Sequence, residues 1–249
     1  MIKKSLLTLI LPILFISHSN AQDNVDNLPN FDEQSWHWGY YLGVNHYDFK
    51  ITPTDLGMTN NDQLGIISDA TIGFSVGLLG DFKVNDYLNF RVEPGLSYTT
   101  RNLTYHDDVM VNFEGTYERT DTIREIHSTY VNIPLLLKFG GKRMKNIRPY
   151  LIGGANLGID LNSHQNGADD NTTGYEGFRT KTMNLFWEAG GGIDWYLPYF
   201  KFTTEVRGSF GIKDELVRDG NPPGTLFTPW TGSIDKLQTR AIFFVLKFE

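Results

Sequence analysis

Apolar and polar residues alternate along the segment Leu88–Arg101. Successive side chains of an extended chain point to opposite faces, so this pattern predicts a strand with two unlike faces. One face carries Phe90 and Leu96, and the other carries Arg91 and Glu93. The segment is longer than the roughly 5–6 residues of an ordinary strand and close to the ~9–11 residues that a tilted strand needs to cross a bilayer. It is therefore a candidate membrane-crossing strand.

Seven other segments repeat this alternation. They are Trp36–Phe49, Thr71–Lys83, Thr129–Phe139, Arg148–Leu161, Met183–Tyr196, Phe200–Ile212 and Thr239–Phe248. Together with the first segment they predict eight strands.

The connections between these strands alternate in length. The short ones are rich in Asn, Asp, Gly or Pro, as tight turns require, and they are Val84–Asp86, Gly140–Asn146 and Leu197–Tyr199. The long, polar ones are Lys50–Ala70, Asn102–Ser128, Asn162–Thr182 and Lys213–Gln238. Short periplasmic turns and long external loops are typical of outer-membrane barrels. We therefore predict an all-β fold, a single eight-stranded antiparallel transmembrane β-barrel in the cell outer membrane with both termini in the periplasm.

Period two alone does not separate this barrel from a soluble one such as a lipocalin, whose apolar face lies inside. The membrane barrel is favoured because charges of both signs share the polar face with glycines, and because the last strand ends in the apolar-aromatic run Ile242–Phe248. Aromatic residues near the strand ends also predict membrane-interface girdles, and these are Trp36, Trp38, Tyr40, Trp195, Tyr196, Tyr199 and Phe200. An Arg or Lys facing lipid at the midplane costs about 2–4 kcal/mol, so we expect the charged face to point inward.

The N-terminus has the features of a signal peptide. Lys3 and Lys4 precede the apolar stretch Leu6–Ile16, and small residues end at Ala21, so residues 1–21 are the predicted signal peptide. Residues 22–35 are acidic, lack periodicity and contain a proline, which predicts an extended periplasmic lead-in. Residues 36–249 are then the barrel domain.

Composition excludes several classes of function. The chain has no cysteine, which excludes disulfides, thiolate metal sites, cysteine nucleophiles and lipoprotein acylation. Its net charge of −7 argues against general nucleic-acid binding.

No catalytic constellation has the required spacing. The histidines are scattered without metal-site spacing, and His106 beside two aspartates is better explained as part of a polar loop. The glycines of Gly153–Gly158 are better explained by strand packing than by a dinucleotide turn. His127 and Ser128 could belong to a rim active site, but no third member can be placed. We expect no catalytic, cofactor-binding or metal-binding residues, no cofactor, no small-molecule substrate and no enzymatic activity.

Charged residues on the inward face form the one candidate cluster, and they are Arg91, Glu93, Glu188, Glu205, Arg207 and Lys247. An ion or proton path is one interpretation of this set. An eight-stranded barrel has an interior that side chains just fill, which favours a structural plug of ion pairs instead.

Three motifs carry a family resemblance. They are Asn27–Asp32 (NLPNFD), the segment His37–Asn45 followed by Asp48 and Phe49, and Tyr130–Lys138 (YVNIPLLLK). On these residues the chain resembles the porin-like outer-membrane barrels of the Bacteroidota and, more narrowly, the PorT family of the type IX protein secretion system. The third motif is shared across the wider barrel family, whereas the N-terminal one is more specific.

The resemblance implies a component of protein secretion across the outer membrane, associated with gliding motility, and brings no catalytic or cofactor residues with it. The expected partners are outer-membrane lipid and other secretion-system proteins, which would meet the lead-in Gln22–Ser35 and the long loops. A small transport or adhesion barrel unrelated to secretion is the alternative.

Overall fold

The computed structural model describes residues 26–59, 63–111, 122–167, 178–219 and 229–249. Its strands form one antiparallel sheet, and their bounds are β1 (Trp36–Pro53), β2 (Ile66–Ala70), β3 (Ile72–Lys83), β4 (Leu88–Val92), β5 (Gly95–Tyr105), β6 (Ile123–Gly140), β7 (Ile147–Asp160), β8 (Met183–Tyr196), β9 (Lys201–Gly211) and β10 (Ile234–Phe248). Short helices, Asp107–Val111 and Pro229–Gly232, lie in two of the long loops. Within the described ranges, no helix is long and apolar enough to cross a membrane.

The sheet closes on itself through β1. This strand pairs with β10 on one side, with Val44 opposite Phe244, and with β3 on the other, with Val44 opposite Phe74. The ten assigned strands make eight barrel strands, because β2 and β3 continue one another and so do β4 and β5. The predicted eight-stranded antiparallel barrel is confirmed.

The two interruptions have different causes. Three residues lie between Ala70 and Phe74 in the β2–β3 strand, but only two lie between their β5 partners Arg101 and Tyr98, so Thr71 is an extra residue that forms a bulge. The interruption at Glu93–Pro94 keeps one register with both neighbours, and it lies beside Pro134 of β6. Neither proline has a backbone N–H to donate, which is enough to break the ladder locally.

The outer surface of the barrel is apolar and its interior is charged. Ile72 is 78% exposed and Trp38 is 69% exposed on the outside, whereas Asp81 and Arg91 are 0% exposed inside. Exposed apolar side chains in continuous bands are suited to lipid contact rather than to water. The predicted orientation of the two faces is confirmed, and the soluble alternative is wrong.

Aromatic side chains collect at the end of the barrel that carries the short turns, which we call the short-turn end. Trp36 packs edge-on against Trp38, and Phe248 lies within ring contact of Tyr40 and Phe202. Tyr196, predicted as part of a girdle, is only 1% exposed and points into the barrel. The parity of β8 gives the reason, because Asp194 and Tyr196 share its inward face while Trp195 faces outward.

At the opposite, long-loop end the strands run further than the sequence predicts. β1 continues to Pro53, β6 starts at Ile123 rather than Thr129, and β10 starts at Ile234 rather than Thr239. The interior of this extension is an apolar cluster, formed by Phe49, Ile66, Leu103, Tyr105, Val109, Ile126, Phe178, Leu216, Trp230, Ile234 and Leu237. The predicted alternation, apolar outside and polar inside, ends here. In these extensions, which lie beyond the lipid, the apolar side chains of the cluster face the interior of the barrel.

The predicted extended lead-in is wrong for the part that the structure describes. Residues 31–33 form a 3-10 turn, and the segment folds across the short-turn end of the barrel. Leu28 has a φ of 49° and lies at the bend, and the alternation of apolar and polar residues does not predict such a backbone conformation. The predicted signal peptide and residues 22–25 lie outside the described residues.

A charge on the lipid face tests the assignment of the outer surface. Leu135 lies midway along the outward face of β6 and is 49% exposed. We expect Leu135→Arg to lower the free energy of unfolding from lipid vesicles by about 2–4 kcal/mol, because lipid cannot solvate the guanidinium. Urea titration followed by tryptophan fluorescence measures this difference.

The matched control is Leu64→Arg, since Leu64 is 46% exposed in a long loop. An equal loss of stability in both variants would contradict the outward lipid-facing assignment.

Candidate functional site

The structure brings the six predicted lumen charges together. Glu93 lies 3.0 Å from Arg207 and also contacts Lys247, while Arg91 approaches Glu93 at 3.6 Å. Glu205 is 2.7 Å from Lys247. All of these side chains are at most 4% exposed.

The sixth member, Glu188, completes the cluster from β8. Its carboxylate lies 3.3 Å from Arg207, and it accepts a hydrogen bond from Asn156 at 2.8 Å. Tyr150 donates a hydrogen bond of 2.6 Å to Glu205. Three cations therefore face three carboxylates, and polar neighbours occupy further lone pairs, as buried charges require.

Small residues on the inward face make room for this filling. A Cβ at Gly192 would lie 2.6 Å from the Tyr150 hydroxyl, and one at Gly95 would overlap the Tyr41 hydroxyl. The space left beside the cluster, next to Glu188 and Arg207, is about 10 Å³. That is about the minimum that holds a single water molecule, so this level of the lumen is a plug of side chains and not a channel.

Further ion pairs continue the plug toward the short-turn end. Asp81 pairs with Arg91 at 2.5 Å, and Lys138 pairs with Asp194 at 2.5 Å. Lys201 lies 2.8 Å from Glu249, which is missing from the predicted set. Period two could have found Glu249, because it shares the inward parity of Lys247.

A cavity of about 290 Å³ opens at the short-turn end, and we call it the vestibule. Its lining includes Lys83, Lys138, Asp194 and Lys201 from the strands and Asp86 from a short turn. A hydrogen bond from Lys83 lowers the pKa of Asp86 below the usual carboxyl range.

Residues 26–35, which we call the N-terminal strap, cover part of this vestibule. Asp32 accepts a 2.7 Å hydrogen bond from the Tyr196 hydroxyl and faces Arg143 and Arg148 at 3.5 Å. Phe31 stacks on His37 with ring centroids 4.1 Å apart. The Asn27–Asp32 motif therefore holds the strap against the barrel.

The long-loop end is closed by the apolar cluster. Trp230 packs edge-on against Tyr105, whose hydroxyl donates a 2.7 Å hydrogen bond to the Trp230 carbonyl. The loop residue Glu215 enters the same region and accepts hydrogen bonds from the backbone and side chain of Thr239. Burial raises the pKa of Glu215, against the effect of those hydrogen bonds. The described part of the lumen is therefore filled with apolar residues toward the long-loop end and with ion pairs toward the short-turn end.

The structure does not bring His127 and Ser128 together as a dyad. His127 is on the outer face near Thr100, whereas Ser128 is buried inside and donates to Asp160 at 2.8 Å. Gly153–Gly158 lies within β7, as strand packing predicts. Among the described residues, no three acidic or histidine side chains are placed to hold a metal ion.

A family profile described as "Outer membrane protein beta-barrel domain" matches residues 20–217. The chain belongs to this family. The barrel, its outward apolar face and the family membership place the protein in the outer membrane.

Three solved structures resemble this chain, and one of them is an outer membrane protein, OprG. Neisserial surface protein A is 10% identical with a TM-score of 0.41, covering 86% of this chain and 98% of its own. OprG from Pseudomonas aeruginosa is 12% identical with a TM-score of 0.46, covering 85% and 92%. Ail of Yersinia pestis, in complex with the heparin analogue sucrose octasulfate, is 11% identical with a TM-score of 0.41, covering 86% and 99%. A search of the curated proteins finds no match to this chain.

Removal of one buried carboxylate tests the ion-pair plug. Glu93→Gln leaves Arg207 and Lys247 without their shared anion inside the barrel. We expect a loss of about 3–5 kcal/mol in unfolding free energy, the usual cost of leaving a buried charge uncompensated. Urea unfolding in lipid vesicles measures it.

Glu125→Gln is the matched control, because Glu125 is 56% exposed at its side chain. We expect this variant to stay within about 0.5 kcal/mol of the unsubstituted barrel. Equal unfolding midpoints for the two variants would refute the buried ion pairing of Glu93.

Proposed function

We propose that this outer-membrane barrel is a non-enzymatic component of the type IX protein secretion apparatus and that it acts through protein contacts at its ends. The support is the filled lumen. The ion-pair cluster around Glu93 leaves about 10 Å³ beside it, and the apolar cluster around Trp230 fills the other end. A barrel with such an interior offers partners its rims and turns rather than a passage.

The PorT-like motif supports the secretion assignment over a general barrel role. Its residues Asn27–Asp32 are part of the N-terminal strap, with Asn27 bonded to Asn146 and to the Tyr196 carbonyl. The motif thus lies at the short-turn end. Short turns typically face the periplasm in outer-membrane barrels, so we expect the motif on that side. A secretion partner in the periplasm would meet the strap first.

One accessible surface at this end is the turn between β6 and β7. Lys142 and Lys145 are exposed there, and Met144 between them is 61% exposed. The chain as a whole is acidic, with a net charge of −7, so this basic turn is distinct from the average surface. It suits contact with an acidic protein surface, with outer-membrane lipid around the barrel wall as the other partner.

Gene deletion tests the secretion assignment. We expect the deletion strain to lose secreted cargo from the medium and to lose gliding, and we expect the unsubstituted gene to restore both. Unchanged secretion and motility would overturn the proposal. Immunoblots of the medium and colony spreading provide the measurements.

Point variants in the complementing gene test the protein contacts. Lys142→Glu with Lys145→Glu should lower cargo secretion, because reversed charges repel an acidic partner, while the barrel stays in the outer membrane. Lys50→Glu, at an exposed position near the long-loop end, is the control and should leave secretion unchanged.

A small transport or adhesion barrel is the second candidate. The observation that favours it is the extension of the strands beyond the lipid band, with β6 starting at Ile123 while the unbroken run of apolar residues on its outward face begins at Val131. Such a rim could present a binding surface to the exterior. Transport, by contrast, needs an open path.

Single-channel recording separates transport from a contact role. We expect the purified barrel to show no steady conductance in planar bilayers, because the ion pairs of Glu93, Arg207 and Lys247 occupy the lumen. A steady, reproducible conductance would favour the transport barrel. An open barrel of known conductance, inserted in the same bilayers, verifies the recording conditions.

A further inference from the structure

The N-terminal strap occupies a slot that the barrel wall forms without it. The slot, which we call the mouth slot, is lined by His37, Arg143, Arg148, Tyr196 and Lys201. These residues come from the start of β1, from the β6–β7 turn and β7, and from the two sides of the β8–β9 turn. The slot is therefore fixed by four strands rather than by the strap.

One part of the mouth slot binds a carboxylate. The Tyr196 hydroxyl donates to Asp32 at 2.7 Å, and the guanidinium groups of Arg143 and Arg148 each lie 3.5 Å from an Asp32 oxygen. Arg143 also lies over the Tyr196 ring, 3.7 Å from its centroid, which orients its charge. Guanidinium forks and a phenol hydroxyl converging on one point are the donors that a carboxylate prefers.

The other part holds an aromatic ring. Phe31 stacks on His37 at 4.1 Å and meets the edge of Tyr196 at 6.3 Å. The Lys201 ammonium lies 4.7 Å from the Phe31 centroid, a cation–π distance. The His37 ring donates from Nε2 to the Phe31 carbonyl at 2.7 Å, so it binds the backbone as well as the ring.

The strap buries little surface, whereas the side chains that line the slot are largely buried. Every residue of 26–35 is exposed or partly exposed, while Tyr196 is 1%, Lys201 3% and His37 7% exposed. Lys201 pairs with Glu249 and the Tyr196 backbone N–H bonds to Asn146, and neither contact involves a residue of the strap. Segments with little buried surface open at low free-energy cost.

We propose that the mouth slot is a peptide-docking site, filled in cis by the strap, for a segment that presents an aromatic residue followed by a carboxylate in the same 3-10 turn as residues 31–33. The strap itself shows what the slot takes, namely the Phe31–Asp32 pair. A partner with such a segment replaces the strap and uncovers the vestibule of about 290 Å³ beneath it. This inference goes beyond the proposed function, since it holds whether or not the barrel serves secretion.

Because the strap is part of the same chain, a partner must compete with it for the mouth slot. A short linker gives the strap an effective concentration on the order of millimolar, so a competing segment with the same anchors binds only at comparable concentration. Weakening the two cis anchors should therefore reveal the site to a peptide added in trans. That change is the basis of the experiment.

The experiment uses the full chain in phospholipid nanodiscs, and the probe is a fluorescein-labelled peptide with the sequence of residues 26–35. The variant Phe31→Ala with Asp32→Asn, which we call strap-released, removes the aromatic and carboxylate anchors of the strap and changes no residue that lines the slot. We expect this variant to bind the peptide at least ~10-fold more tightly than the unsubstituted chain, measured by fluorescence anisotropy. Salt should weaken the binding, because the carboxylate contact is electrostatic.

Matched controls separate docking from general charge attraction. Glu33→Gln removes the neighbouring carboxylate, which is exposed, and should leave the slot closed to the peptide. A peptide carrying Asp32→Asn should bind the strap-released variant ~10-fold more weakly, the loss expected for one charged hydrogen-bonded contact. Far-UV circular dichroism verifies that each variant retains its β-barrel.

Two results would overturn the proposal. One is equal binding of the peptide to the unsubstituted and strap-released chains. The other is equal affinity of the strap-released chain for the unsubstituted peptide and for the peptide that carries Asp32→Asn.

A second measurement uses the absence of cysteine in the chain, since Asn30→Cys can carry a single environment-sensitive dye on the strap. Excess unlabelled peptide should shift the emission of that dye, because displacement moves the strap away from the barrel. No shift at millimolar peptide would also count against displacement.

Discussion

Pairing of the first and last strands is the constraint on which the rest of the molecule depends. β1 meets β10 from Tyr40 opposite Phe248 to Pro53 opposite Ile234, and this ladder removes both free edges of the sheet. In lipid an unpaired edge would leave a row of backbone groups without hydrogen bonds, so only the closed ring is stable there. The same pairing carries Lys247 and Glu249 of the C-terminal end into the lumen, where they meet Glu93 and Arg91.

The closed ring and the charged interior therefore depend on each other, because the charges pair inside only when every strand has the correct register. A slip of one residue in any pair of strands would turn lumen charges toward lipid and apolar residues inward. Buried ion pairs gain little stability over apolar packing, but a wrong register would leave several of them unpaired in the bilayer. The ion pairs of Glu93, Arg207 and Lys247 therefore select the correct strand register, and they add little to the free energy of unfolding relative to apolar packing.

The sequence predicted the parts of the fold in which lipid imposes the pattern. The outward apolar faces and the short turns follow from that constraint, and so does the convergence of Arg91, Glu93 and Lys247. The Thr71 bulge escapes a period-two argument, because one extra residue exchanges the two faces, so the alternation of β3 does not continue into β2 and the residues before Thr71 resemble a polar loop. The inward cluster around Trp230 escapes it for another reason, since those strands lie outside lipid. The docking of Phe31 and Asp32 depends on His37, Arg143 and Tyr196, which the chain brings together only after the ring has closed.

The apolar cluster at the long-loop end gives the protein a second hydrophobic surface besides the one that lipid covers. Phe49, Leu103, Trp230 and Leu237 are buried only when the ring is closed, and the bilayer does not shield them on the way. Before assembly the chain must carry these side chains through water, and they come together only when the tips of the strands close into the ring. Before it folds, the chain can therefore aggregate through its lipid-facing residues and through the residues of this apolar cluster. A chaperone that keeps the unfolded chain soluble has to cover both.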